Sequence, residues 1–163
     1  DGIRLLSRFS NMIVLRTFSK IYGLAALRVG YGVGSPDIIQ LLNRVRNPFN
    51  TNAFGQTAAI AALKDQKFVE ECHRLNREGM AVLTREFDRL GLAYYPSWAN
   101  FVLVDTGRPA REMFTALLKK GVIVRGGHEL GFPTSLRVTV GSPAENERFL
   151  TALTACMEEV SIP

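Results

Sequence analysis

Lys20 closes the string Thr17-Phe18-Ser19-Lys20, and Arg28 follows eight residues later. The run before them, residues 12–17 (MIVLRT), is short and rich in β-formers. It reads as a buried strand that delivers Lys20 at its C-terminal end. An ammonium group is seldom held at the end of a buried strand without a purpose. In such a place the amine is readily deprotonated and forms Schiff bases with carbonyl compounds. A carbonyl cofactor that also carried a phosphate would need hydroxyl and guanidinium donors for the dianion. Thr17, Ser19 and Arg28 supply those donors. A surface lysine beside a loop arginine is the plain reading of a lone lysine, and it is the whole string that outweighs it. Gly30, Gly32 and Gly34 are spaced G-x-G-x-G. They match neither G-x-G-x-x-G nor G-x-x-x-x-G-K-[ST], so a nucleotide loop is rejected.

The elements that must position these residues follow from local signals. Residues 27–33 (LRVGYGV) read as a second strand whose glycines admit close approach of a backbone or ligand. Ser35-Pro36 is a helix start, and the helix is expected to reach about Val45 before Asn47-Pro48 ends it. A long helical region is expected over residues 52–90, with Asp65 capping its second part and Gly91 as the stop. Residues 101–105 (FVLVD), 121–125 (GVIVR) and 135–140 (SLRVTV) read as strands, and residues 109–120 as a helix closed by Gly121. Ser142-Pro143-Ala144-Glu145 is a capping box opening a last helix that runs to about Val160. The tail is therefore expected to be an α/β layer of about three strands with helices on one face. No repeats or low-complexity segments occur.

Composition narrows the field. A chain of 163 residues suits one domain or part of a larger protein, and its 47% hydrophobic fraction is that of a globular protein. No stretch of ~18 apolar residues is present to span a membrane. No signal peptide is visible, and the chain starts at Asp1 rather than Met, so its beginning is expected to lie further upstream. Cys72 and Cys156 read as a reduced, buried pair in a cytosolic protein. Cys72-His73 has no further ligands at metal spacing, so no metal is expected. The net charge of +5 is spread over the polar faces of helices without a nucleic-acid module, which reads as a solvated surface.

The string TFSKIYGLAALRVGYG resembles the pyridoxal-phosphate lysine motif of the fold-type I aminotransferases, and within them the histidinol-phosphate aminotransferase branch. The resemblance continues through S-W-A-N-F-V-L at Asn100, G-V-I-V-R at Arg125 and L-R-V-T-V-G at Arg137, and so covers essentially the whole chain. Ala26 stands where glycine is common. The resemblance implies the following roles. Lys20 would hold pyridoxal 5'-phosphate covalently and shuttle the reacting proton. Thr17, Ser19 and Arg28 would bind the cofactor phosphate. Arg137 would bind the acidic group of histidinol phosphate or of glutamate, with Arg125 as a second candidate and Asn100 close by. Taken alone, each of these two arginines reads as a strand-end residue on a solvated face. The implied activity is histidinol-phosphate:2-oxoglutarate transamination in histidine biosynthesis, by a cytoplasmic homodimer.

Family members are about twice this length. The implied architecture is α/β: residues 1–51 as the remnant of a large cofactor-binding domain, 52–90 as a linking helical region, and 91–163 as a small C-terminal α/β domain. The family's aspartate at the pyridine nitrogen, its tyrosine near the cofactor oxygen and its ring-stacking residues match nothing in this chain. Without a protonated ring nitrogen the ring is a poor electron sink. The chain by itself is therefore expected to be inactive or nearly so, with exposed apolar surface on its first two strands. Two other readings stand beside this one. One is an amino-acid-phosphate decarboxylase of the same branch, which shares the lysine motif and both arginines. The other is a non-catalytic small-domain module.

Overall fold

The computed structural model describes residues 2–159. It divides into two units, Asp1–Cys72 and His73–Pro163, with the boundary inside one helix.

In the first unit, β1 (Ile13–Thr17) pairs antiparallel with β2 (Gly30–Gly34), Ile13 opposite Gly34 and Thr17 opposite Gly30. Gly30 is required: a Cβ there would stand 2.7 Å from the Arg16 carbonyl oxygen. The expected second strand begins three residues late, at Gly30. Residues Ala25–Leu27 form a 3-10 turn, and Arg28 sits in the left-handed region at φ 53°, which breaks the ladder before β2. β1 is not the buried strand its composition suggests, and it carries the exposed apolar surface expected of the first strands in this chain. Only Val14 is buried, and Leu15 is 75% exposed. A two-stranded ribbon has no further strands or covering helices to enclose both faces. The small core of this unit lies just past the strand ends, where Phe18, Val29 and Ala59 pack with Tyr22, Leu24 and Leu27.

The helices start where the caps place them. Ser35 Oγ accepts from the Ile38 N–H, and α1 (Pro36–Val45) follows with proline in its first turn. Asn52 Oδ1 accepts from the Gly55 N–H at 2.7 Å and opens α2 (Ala53–Lys64). Asp65 interrupts the helical region as expected, its Oδ1 accepting from the Phe68 N–H at 3.1 Å to open α3 (Gln66–Arg89). Gly91, at φ 69°, ends α3, and the Leu92 N–H returns to the Phe87 carbonyl at 2.9 Å.

The second unit holds a four-stranded antiparallel sheet rather than three strands. Its strands are β3 (Tyr94–Tyr95), β4 (Phe101–Asp105), β5 (Arg125–Gly126) and β6 (Ser135–Thr139), in the order β3-β4-β6-β5. β3 went unread because two residues carry no periodicity. The expected strand 121–125 shrinks to β5 for a local reason. After α4 (Ala110–Lys119), Gly121 at φ 75° closes the helix. The N–H groups of Gly121 and Val122 return to the carbonyls of Leu118 and Leu117, so they are unavailable to a ladder. One face of the sheet presents Val102, Val104, Leu136 and Val138, which are buried with Leu83, Phe87, Leu117 and Leu153 from the helices.

The last helix, α5 (Pro143–Glu159), opens on the expected capping box; the expected end at Val160 lies outside the described residues. Ser142 donates both its hydroxyl and its N–H to Glu145 Oε2, at 2.7 and 2.8 Å, and Ser142 Oγ accepts the Glu145 N–H. The hydroxyl and the N–H hold the Glu145 carboxyl below its ordinary range. A lowered folded value means a stabilising contribution that is present above the ordinary carboxylate range. It is lost as pH falls through the lowered value. Ser142→Ala is expected to cost about 1 kcal/mol. A lower urea midpoint at unchanged slope, with a weaker acid-side pH dependence, is the measurement that checks it.

Among the described residues, no helix is long and apolar enough to cross a membrane, and no cluster of three His, Cys, Asp or Glu could hold a metal. Both cysteines are free. Cys156 is buried, and its burial pushes the thiol up. Cys72 is only half-buried, against the expectation of a buried pair, because that part of α3 has little packed on it.

Candidate functional site

The lysine lies in a tight turn built from the end of β1. Thr17 is the last residue of that strand. Its Oγ1 accepts the Ser19 N–H at 3.0 Å, and the two hydroxyls lie 2.9 Å apart. Lys20 comes next and is exposed, and its carbonyl accepts the Gly23 N–H at 2.9 Å. The sequence placed Lys20 at the edge of a buried strand; the structure puts it three residues past an exposed one. The turn still gathers two hydroxyls, a backbone N–H and an amine into four consecutive residues.

The backbone of Arg28, two residues before β2, comes close to this turn. The Phe18 N–H donates to the Val29 carbonyl at 3.2 Å, carrying the pairing one step past β1 and β2. Ser19 and Arg28 flank that bond on the two neighbouring segments. Arg28 is one of two non-glycine residues with positive φ among those described, and its Nη1 donates to the Ala25 carbonyl at 2.7 Å. A left-handed arginine costs roughly 1 kcal/mol or more, a strain that clusters where function needs a particular side-chain direction.

The remaining candidates lie in the second unit. Arg137, in β6, has Leu103 opposite it on one side and Arg125 on the other. Residues directly opposite in a ladder share a face, so both guanidinium groups rise from the side of the sheet away from the core. Like charges placed so destabilise each other. Each has a partial remedy. Arg125 Nη2 lies 3.5 Å from Glu129 Oε2, with both side chains well exposed. The Arg137 guanidinium carbon stands 5.2 Å from the Phe101 ring centroid. Arg137 Nε is buried with no hydrogen-bond partner. A paired positive charge with an orphaned buried donor is an arrangement an anion would complete.

Asn100 directly precedes β4, and its carbonyl accepts the Val140 N–H at 2.9 Å. The loop before it is pinned. Ser97 Oγ donates to the Phe101 carbonyl at 2.6 Å and accepts the Ala99 N–H, while Asn76 Nδ2 donates to the Ala99 carbonyl. The exposed Asn100 side chain makes none of these bonds. Sequence reasoning missed Phe101 and Glu129. Glu129 is legible in hindsight as the residue four after Arg125; Phe101 is tied to Arg137 only by strand register. A shallow groove lined by Lys120, Glu147, Arg148 and Thr151 includes none of the candidate residues.

Residues 2–153 match the family described as Aminotransferase class I and II. The histidinol-phosphate aminotransferase of Bacillus licheniformis is 56% identical over 153 residues, covering 94% of this chain and 42% of that protein. The crystal structure of histidinol-phosphate aminotransferase from Sinorhizobium meliloti in complex with pyridoxal-5'-phosphate superposes with a TM-score of 0.83 at 33% identity, over 93% of this chain and 42% of that one. The histidinol-phosphate aminotransferase of Clostridium acetobutylicum shares the fold, with a TM-score of 0.90 at 23% identity, over 98% of this chain and 50% of that one. The chain thus spans less than half the length of the curated relatives it matches.

Proposed function

The chain belongs to the class I and II aminotransferases, and from that membership we propose that it takes part in pyridoxal-phosphate-dependent transfer of an amino group from glutamate to the keto precursor of histidinol phosphate, or the reverse. The observation that carries the reading is the Thr17–Lys20 turn, with its amine, two hydroxyls and adjacent Arg28. That donor set fits a phosphorylated aldehyde. The Ser19 hydroxyl is half-buried and Arg28 is exposed, and both side chains are donors suited to a dianion.

When bound, pyridoxal phosphate supplies an electron sink for the bond-breaking at the substrate Cα. The rest is assigned to this chain's residues. Lys20 Nζ anchors the cofactor and then carries the proton to and from the substrate Cα. Thr17, Ser19 and Arg28 hold the cofactor phosphate. Arg137 binds the substrate's anionic group by its planar fork, with Arg125 beside it on the neighbouring strand. Asn100, at the end of a pinned loop, is assigned a lesser part in orienting the substrate. The proposed architecture is part of a large cofactor-binding domain over residues 1–51, a linking helical region over 52–90, and a small α/β domain over 91–163. The active protein is proposed as a homodimer; exposed Leu41, Leu42 and Val45 on α1 support an interface on the first unit.

The test is to titrate pyridoxal phosphate into the chain, follow imine absorbance, and fix the adduct with borohydride. Glutamate formation from 2-oxoglutarate and histidinol phosphate is assayed beside CO₂ release from an amino-acid phosphate. CO₂ release without glutamate formation would assign the chain to the decarboxylases instead. Arg28→Ala is expected to weaken cofactor binding about 10- to 100-fold, the loss of a charge-assisted donor worth about 1.5–3 kcal/mol. Arg137→Ala should leave cofactor capture unchanged and weaken binding of the substrate anion by a similar factor, with poor rescue by lysine. An Arg137 variant that loses the cofactor but keeps the anion would reverse the two roles.

A further inference from the structure

Arg125 and Arg137 face each other in register but are not equivalent. Arg125 is exposed and ion-paired with Glu129 at 3.5 Å, a surface arrangement that constrains a side chain only weakly. Arg137 is half-buried, its Nε shut away from solvent. What holds it is a ring. Phe101 pairs with Thr139, two residues along β6 from Arg137, so the two side chains are diagonal neighbours on one face. The guanidinium carbon lies 5.2 Å from the ring centroid, within range of attraction to the ring's negative face. Phe101 is itself fixed by the ladder behind it and by the Ser97 hydroxyl on its carbonyl. An arginine side chain loses much rotamer freedom when it is ordered. Here that loss is incurred before any ligand arrives.

We propose that Phe101 is a positioning residue: its ring preorganises Arg137, so that the guanidinium fork meets an anion already oriented. The inference rests on the reading of Arg137 as the anion receptor. Phe101 acts through Arg137 and touches no reacting atom. The benefit falls on anion affinity and not on proton transfer, because the ring bears no titratable group.

The experiment uses the chain with inorganic phosphate as the probe, by calorimetry and by side-chain NMR of ¹⁵N-labelled arginine. In the unsubstituted chain the Arg137 side-chain protons are expected upfield, shifted by the ring current of Phe101. Phe101→Leu keeps apolar bulk and removes the ring face. It should weaken phosphate binding about fivefold, about 1 kcal/mol at about 1.4 kcal/mol per tenfold. It should also return the Arg137 signals to ordinary positions. Phe101→Tyr should restore both. In an Arg137→Gln background, Phe101→Leu should have no further effect, because the coupled pair is already broken. If Phe101→Leu binds phosphate as well as the unsubstituted chain while Arg137→Gln does not, the inference falls and the reading of Arg137 stands. If Arg137→Gln binds as tightly as the unsubstituted chain, the reading of Arg137 falls and takes the inference with it. Equal losses in the leucine and tyrosine variants, or ordinary Arg137 shifts in the unsubstituted chain, would also overturn it.

Discussion

Replacing Lys20 with alanine is expected to abolish covalent capture of pyridoxal phosphate. Borohydride should then fix no label to the peptide containing residues 17–28. The reason is chemical rather than structural. Lys20 is exposed, and none of the hydrogen bonds that shape its turn uses its side chain. The Thr17 and Ser19 bonds and the Gly23-to-Lys20 backbone bond survive the substitution, so the fold should be unchanged by circular dichroism. What disappears is the amine proposed to form the bond to the aldehyde and to carry the proton. In any preparation that converts 2-oxoglutarate to glutamate, turnover should fall to background. Removing an essential nucleophile-base commonly costs several orders of magnitude, about 10⁴-fold or more. Arg28→Ala in the same assay should weaken capture without abolishing it, because phosphate binding and covalent attachment are separate contributions. Labelling of another lysine at equal yield in the Lys20 variant would refute the assignment.

The second large effect is one of stability. Phe87 is fully buried in the second unit. Its ring lies 5.9 Å from Tyr94 and meets Phe149 edge-on at 6.3 Å. Phe87→Ala is expected to cost about 3–5 kcal/mol, from the lost apolar transfer and the cavity left behind. Against a domain stability of about 5–15 kcal/mol, that is enough to unfold much of the unit near physiological temperature. Urea unfolding followed by near-ultraviolet circular dichroism checks it; a loss below about 1 kcal/mol would show that the site collapses around the smaller side chain. Arg125 and Arg137 stand on the other face of the sheet that this core supports. Phosphate binding should therefore fall in step with the folded fraction. Phe101→Leu, in contrast, should lower affinity with the fold intact.

Much of this protein was legible residue by residue. The caps at Ser35, Asp65 and Ser142, and the stops at Gly91 and Gly121, were read correctly because a cap or stop is a local hydrogen-bond or φ requirement. Neighbours in sequence satisfy it alone. The Lys20 string was legible for the same reason: Thr17, Ser19 and Lys20 share one turn, so adjacency in sequence became adjacency in space. β4 and β6 were legible by composition, to within a residue. By itself, then, the sequence determined the α-helices, the caps that open α1, α3 and α5 and the glycine stops after α3 and α4, the two central strands of the second unit, and the chemistry offered by the turn at Lys20.

Tertiary structure decided what depends on distant partners. β3 is two residues long and exists because β4 lies beside it. The start of β5 was settled by the carbonyls of α4, which claim the Gly121 and Val122 N–H groups first. The exposure of β1 depends on how many strands flank it, and nothing in residues 12–17 counts them. The opposition of Arg125 and Arg137, twelve residues apart, is a matter of register. A slip of one residue would turn Arg137 into the core and Leu136 out of it. That slip is prevented by the burial of Leu136 and Val138 against the helices. The Phe101 ring beside Arg137 follows from the same constraint on β4. Sequence periodicity tells which residues share a face. Which of them meet across a ladder is fixed only when the strands are pulled into register by the apolar side chains on the opposite face.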